Sequence, residues 1–271
     1  MLIMPHPYGW LANRLVLATA FIVQAEEYGD SFLHLAFGDY FRYFEGTRHS
    51  PFLYHRATCP HPQRKSKLFG CVNIWNTFDK RGEPYMLDQA AFLEKQRATQ
   101  CLFVVGWSFR TPSAIGLKHK SVVKKIFTPI ALHRDAVARL TDKLRAGADC
   151  VVGVHIRQTD YKKFANGKYF YTMDVYRRAM RDLANQLKGR TRFLLCSDAP
   201  VDHTAFKDFD VMTGTGHLIE DNYTLAACDY IIGPPSTYTA WASYYGNVPK
   251  QFIQSSEAKI TLSGFEIQQT I

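Results

Sequence analysis

Arg157 closes an apolar run, Val151-Val152-Gly153-Val154-His155-Ile156, and Asp160 follows three residues later. An arginine at the end of a strand can clamp a diphosphate with two parallel hydrogen bonds, and a carboxylate at this spacing can hold the guanidinium in place. The same pair also reads as an Arg–Asp tie that only shapes a loop, and spacing does not separate the two. Ser197-Asp198 and Gly233-Pro234-Pro235-Ser236-Thr237-Tyr238-Thr239 likewise follow apolar runs. Hydroxyl residues at a helix start leave backbone N–H groups and the positive end of the helix dipole available to an anion. They are equally common as plain N-caps. Asp221, read as opening a helix over Asn222–Cys228, can cap that helix or accept from the N1–H and N2–H₂ of a guanine.

These clusters need a scaffold that brings strand ends together. Phe193–Ser197, Phe209–Met212 and Tyr230–Gly233 repeat the texture of the run before Arg157, as expected of strands buried on both faces. Tyr176, Ala179, Met180, Leu183 and Leu187 form a helical stripe closed by Gly189, and Ser236–Tyr245 begins another helix. Repeated strand–helix alternation implies a parallel, doubly wound sheet, where ligands bind beyond the carboxyl ends of the strands. The first half opens as another α/β unit. Leu2–Met4 is a strand, Gly9 sits in a turn, and Asn13–Tyr28 is a helix with Asn13 as N-cap and Gly29 as stop. Helices are expected over Leu87–Arg97 and Pro129–Arg145, and a strand over Leu102–Val105. Two domains follow, 1–145 and 146–271. The aromatic crowd Phe32, Phe37, Tyr40, Phe41, Tyr43 and Phe44 reads either as a sugar platform or as a small core beneath loops.

The chain of 271 residues is 46% apolar and 21% charged, which excludes a disordered chain. Its net charge of +9 favours anionic partners. The basic residues are dispersed, and Arg64-Lys65-Ser66-Lys67 and Lys118-His119-Lys120 read as solvated loops. No nucleic-acid motif is present, so no nucleic-acid partner is expected. Cys150, Cys196 and Cys228 read as buried free thiols, which suits a reducing compartment. His55, Cys59, His61 and Cys71 match no common zinc spacing, and no metal is expected. The N-terminus lacks a basic n-region and no apolar run spans a bilayer, so the expectation is a whole catalytic unit in the cytoplasm. Gly-x-Gly-x-x-Gly, P-loop and Asp-x-Asp signatures are absent from the sequence. Phosphates would therefore be neutralised by Arg157 and the helix that starts at Ser236.

The motifs around these residues resemble those of the superfamily of α1,2-, α1,6- and protein O-fucosyltransferases. Val152-Gly153-Val154-His155-Ile156-Arg157-Gln158-Thr159-Asp160-Tyr161 resembles its His-x-Arg-x-x-Asp motif. The stretch from Asp221 to Trp241 resembles its later motif, best known from bacterial α1,2-fucosyltransferases. Gly9-Trp10-Leu11-Ala12-Asn13-Arg14-Leu15 is similar to its N-terminal Gly-x-Leu-x-Asn-x-Leu. The resemblance implies a GT-B architecture, two Rossmann-like domains facing across a cleft, with the second domain binding the nucleotide sugar and the first on the acceptor side. It implies an inverting, metal-independent glycosyltransferase with no cofactor, carrying fucose from GDP-fucose to a glycan hydroxyl, with an α1,2-type linkage. Its acceptor is a carbohydrate, which can also make the enzyme peripheral to a membrane.

On this reading Arg157 clamps the diphosphate, His155 lies near the nucleotide, and Asp221 recognises guanine. Ser236 and Thr237 bind phosphate; Tyr238, Ser197 and Asp198 line the same site. Gly9 and Asn13 reach it from the first domain. Asp160 braces Arg157 or acts as general base. Two positions depart from the family. Gln158 stands where a second cation is common, and Ala240-Trp241 replaces a tandem Trp. They leave open another nucleotide sugar as donor, or a non-catalytic nucleotide-sugar or glycan-binding protein.

Overall fold

The computed structural model describes residues 1–50, 52–57, 72–77 and 83–271. The chain divides into two compact units, Met1–Ile130 with Gln269–Ile271, and Ala131–Gln268.

The first unit comprises β1 (Leu2–Met4), α1 (Leu11–Tyr28), β2 (Ser31–His34), β3 (Leu53–Arg56), β4 (Val72–Asn76), β5 (Tyr85–Met86), α2 (Ala90–Ala98), β6 (Cys101–Val105), β7 (Phe109–Arg110), α3 (Ser113–Lys118) and α4 (Lys120–Ile126). Its main sheet has the order β3-β2-β1-β6-β4, parallel except for β3. α1 starts two residues before the expected Asn13. Trp10 is the capping residue but makes no side-chain cap bond, and Asn13 lies inside the helix. Gly29 ends it in the left-handed region, as its type suggested. α2, by contrast, begins later than expected, at Ala90.

The core reading of the aromatic crowd holds for Phe32, Phe37 and Phe44, which are fully buried and pack with Phe21, Phe109 and Phe127. Lys118 and His119 do not lie in a solvated loop. They join α3 to α4, and both bond the Glu27 carboxylate at 2.7 Å. His55 bonds Glu26 at 2.7 Å; Cys59, His61, Cys71 and Arg64–Lys67 lie outside the described residues.

The second unit comprises α5 (Ala131–Arg145), β8 (Cys150–Ile156), α6 (Met173–Ala184), β9 (Thr191–Ser197), β10 (Asp210–Thr213), α7 (Leu218–Leu225), β11 (Tyr230–Gly233), α8 (Thr237–Gly246), β12 (Pro249–Phe252) and β13 (Glu266–Ile267). Its sheet order, β10-β9-β8-β11-β12-β13, is the Rossmann order 3-2-1-4-5-6, with only β13 antiparallel. Every residue of β8 is buried. Cys150, Val152, Val154 and Ile156 face the α6 stripe of Tyr176, Ala179, Met180 and Leu183. Val151 faces the opposite layer with Leu144, Leu225 and Ala242. The period-two alternation of a strand thus feeds two cores, which is why the run carries no polar face. Gly153 is required where α7 passes, because a Cβ there would meet Leu225 at 2.5 Å. Cys150, Cys196 and Cys228 are free and buried in these cores.

Two boundaries differ from expectation. The helix before β8 packs on α7, β8 and β9, so the division falls at 130/131 rather than 145/146. α7 spans Leu218–Leu225 rather than Asn222–Cys228. His217 is its N-cap, accepting from the Ile219 N–H, so Asp221 sits in the first turn and not at the cap. Among the described residues, no helix is long and apolar enough to cross a membrane.

Candidate functional site

The carboxyl ends of β8, β9, β10 and β11 line one edge of the second unit's sheet, and most sequence-predicted residues converge there. Arg157 leaves the end of β8. Its Nε donates to Asp160 Oδ1 at 2.8 Å and its Nη2 to Asp160 Oδ2 at 2.9 Å. Asp198 Oδ2 lies 3.3 Å from the same Nε. The guanidinium sits 5.5 Å over the Tyr161 ring, whose hydroxyl donates to the Pro235 carbonyl at 2.6 Å. Burial works against the charge on Arg157, but Asp160 and Asp198 outweigh it and raise its pKa. Among the described residues Nη1 makes no hydrogen bond to protein, so its two donors complete a fork with the second proton of Nη2.

Asp198 is committed to the loop. Its Oδ1 accepts from the Gln158 N–H at 2.7 Å, and its Oδ2 accepts from the Thr159 N–H at 3.2 Å and the Thr159 hydroxyl. Burial would raise its pKa; the Thr159 hydroxyl, the Gln158 N–H and Arg157 together hold it below the usual carboxylate range. Ser197 closes a turn by accepting from the Ala199 N–H at 3.2 Å. Gln158 donates to the Tyr171 carbonyl at 2.9 Å and supports the same loop.

His155 is buried, with Nδ1 2.8 Å from the Thr239 hydroxyl and its ring 5.0 Å from that of Tyr238. Burial, assisted by the Arg157 charge, lowers its pKa to about 3, so the imidazole is neutral at pH 7. It buttresses the start of α8 from beneath. Gly233 is needed here, since a Cβ would stand 2.7 Å from the His155 carbonyl oxygen.

Ser236 caps α8 by accepting from the Tyr238 N–H at 3.1 Å, so the capping reading and the anion reading apply to the same turn. Thr237 is the first helical residue. The hydroxyl of Tyr238 donates to the Leu218 carbonyl at 2.8 Å, tying α8 to α7.

Asp221 is buried in the first turn of α7. Its Oδ1 accepts from the Thr215 N–H at 2.7 Å, the Gly216 N–H at 3.2 Å and the Thr215 hydroxyl at 3.3 Å. The loop after β10 therefore wraps around one oxygen, while Oδ2 has no hydrogen bond among the described residues. Burial raises the pKa of this carboxyl against those three donors. Gly214 makes the wrap possible, since a Cβ would lie 2.3 Å from Oδ1.

In the first unit, Gly9 has φ +59°, and a Cβ there would stand 2.0 Å from Asn13 Nδ2. Glycine is thus what lets the β1–α1 turn close over Asn13. Arg14 fastens that turn: its Nε donates to the Gly9 carbonyl at 3.2 Å and its Nη1 to the carbonyls of Ala36 and Phe37 at 3.2 and 3.0 Å. Sequence reasoning missed Arg14, Tyr161 and Thr239 as site-forming residues. All three lay inside the quoted motifs, but only the fold reveals what each one holds.

No family model matches this chain, and neither does any curated protein. Solved structures do. A mutant of FUT1 from Arabidopsis thaliana in complex with GDP matches with TM-score 0.62 and 11% identity over 97% of this chain and 73% of that one. NodZ α1,6-fucosyltransferase soaked with GDP-fucose matches with TM-score 0.58 and 17% identity, covering 97% of this chain and 96% of that one. POFUT1 in complex with GDP matches with TM-score 0.56 and 11% identity, over 93% and 97%. The likeness establishes the fold as the GT-B type of these fucosyltransferases, built from two Rossmann-like units.

Proposed function

We propose that this protein is an inverting glycosyltransferase that moves fucose from GDP-fucose to a hydroxyl of a carbohydrate acceptor. The observation that carries the reading is the pairing of two phosphate-seeking features on neighbouring strands. β8 and β11 are hydrogen-bonded partners, and they end respectively in the Arg157 fork and in the Ser236-capped start of α8. A fold shared with structures described as holding GDP or soaked with GDP-fucose gives that pair its ligand class.

In this reading the second unit binds most of the donor, Gly9 and Asn13 belong to the nucleotide-sugar site as the motif resemblance implies, and the first unit otherwise serves the acceptor. The acceptor oxygen attacks the anomeric carbon of fucose as the bond to the β-phosphate oxygen breaks; GDP leaves with the bonding pair, and the hydroxyl proton is released to water. Arg157 and the N-terminal amides of α8 stabilise the charge that builds on the diphosphate. Asp160 acts through Arg157 as a positioning residue, because both its oxygens accept from the guanidinium. Asp221 Oδ2 takes the guanine donors. Protein cations and amides supply the neutralisation that a metal gives elsewhere, and GDP-fucose is a substrate, so no cofactor is required.

Calorimetric titration of GDP-fucose and GDP with EDTA present, on wild type and Arg157→Ala, tests the donor. Binding to wild type that the variant loses supports the reading; no binding to wild type sinks it. The α1,2 linkage suggested by the bacterial motif is tested by linkage analysis of the product. An α1,6 product, the linkage named for NodZ, replaces it.

A second reading keeps the fold and changes the base. The three donors already held by Asp221 favour it, since they occupy the oxygen that would otherwise share in reading guanine. Tighter binding of UDP or ADP than of GDP decides for it.

A further inference from the structure

We propose that His133, His217 and Glu220 form a site for one divalent transition-metal ion, Zn²⁺ first among them, which clasps α5 to α7 and takes no part in group transfer. The three residues offer ligand atoms that all lie within 4.8 Å of one another. His133 is buried on α5; His217 and Glu220 bracket the first turn of α7 as His-x-x-Glu, a spacing that puts both on one helix face. His133 Nδ1 and Glu220 Oε1 are already 2.9 Å apart, and the two imidazoles stack with centroids 4.4 Å apart. In a tetrahedral site with bonds of about 2.0–2.1 Å, ligand atoms stand roughly 3.3 Å apart, so small side-chain rotations close the set.

Two imidazoles and a carboxylate are a borderline donor set that suits Zn²⁺ better than Ca²⁺ or Mg²⁺. Access is present. Glu220 and Thr215 border an open cavity of about 360 Å³ whose other walls include Leu132, Arg139 and Lys143. Glu220 opens onto this space, from which a non-protein ligand would complete the set, and the two cations there favour an anion or hydroxide in that role.

The ion takes the place of the hydrogen bond between His133 Nδ1 and Glu220 Oε1. Coordination by His217 replaces the 3.3 Å bond that its Nδ1 accepts from the Ile219 N–H, a long bond whose loss costs little. Metal at Nδ1 uses that lone pair directly. Metal at Nε2 leaves the ring proton on Nδ1, which then cannot accept.

The test is Co²⁺ absorption spectroscopy and Zn²⁺ calorimetry on the full chain, with circular dichroism as a folding control. Wild type is expected to take up one ion with the visible bands of a tetrahedral Co²⁺ centre. Glu220→Gln, which keeps size and hydrogen bonding, and His133→Ala should each weaken uptake by about tenfold or more. If His133→Ala fails to fold, Glu220→Gln and His217→Ser decide alone. Absence of uptake at millimolar metal, or uptake undiminished in Glu220→Gln and His217→Ser, overturns the site.

Discussion

Arg157 and Asp198 stand side by side because β8 and β9 pair with Ile156 opposite Ser197, which makes these two residues the next pair beyond the strands. Their 3.3 Å contact adds a second carboxylate to the one supplied by Asp160 three residues on. The guanidinium is therefore held on one edge from two loops, and its remaining donors are aimed by that grip.

Arg157→Lys retains a positive charge but loses the planar fork. Charge-assisted hydrogen bonds contribute about 1.5–3 kcal/mol. GDP binding is expected to weaken roughly 10- to 150-fold in the lysine variant, and at least as much in Arg157→Ala. Calorimetry reads both, and an unchanged Kd in the lysine variant would show that the fork is not used.

Asp221→Asn tests the guanine contact without emptying the pocket. The amide oxygen can keep the Thr215 and Gly216 N–H bonds, which turns the amide N–H₂ to where Oδ2 stood. Two donors then face two donors. The preference for GDP over ADP should fall by about 1.5–3 kcal/mol, while melting temperature changes little. A preserved preference assigns base recognition to other residues.

His155 and His34 are both buried with pKa values lowered to about 3 by burial, with help from Arg157 and Arg14 respectively. The unfolded imidazoles titrate near 6.5, so between these values the unfolded state binds more protons. Stability contributed by the neutral rings is thus complete above pH 6.5 and falls as pH drops toward 3. Each ring accounts for about 1.4 kcal/mol per pH unit in that window. Both ring nitrogens of His34 lack partners among the described residues. His34→Phe should then remove one ring's share of the acid slope and leave stability at pH 7 unreduced, as denaturant titrations at pH 5 and 7 would show.

Gly9→Ala places a methyl group 2.0 Å from Asn13 Nδ2 in a left-handed backbone conformation. The conformation alone costs about 1–2 kcal/mol, and the collision adds to it by displacing Asn13. Thermal unfolding should drop by several degrees, and GDP-fucose affinity and turnover should fall together, because Gly9 and Asn13 belong to the proposed nucleotide-sugar site. A destabilised variant that keeps full GDP-fucose affinity would remove Gly9 and Asn13 from the donor site.

The amino-acid order by itself determined the two-sided burial of β8, β9 and β11, since short uninterrupted apolar runs alternating with helical stripes fit a parallel sheet covered on both faces. It also determined that polar clusters follow those strands, and so that chemistry collects at their carboxyl ends. Tertiary structure alone decided who holds whom. Asp198 reaches Arg157 through strand register. Asp221 is wrapped by Thr215 and Gly216 because α7 begins four residues earlier than its apolar pattern suggested. α5 joins the second unit because Leu144 completes a core with Leu225 and Ala242. His133, His217 and Glu220 meet across 87 residues of chain. Periodicity reports which face of an element is covered, a local property of side-chain polarity. Partners across strands and layers depend on sheet order and helix packing, which arise from the whole chain at once.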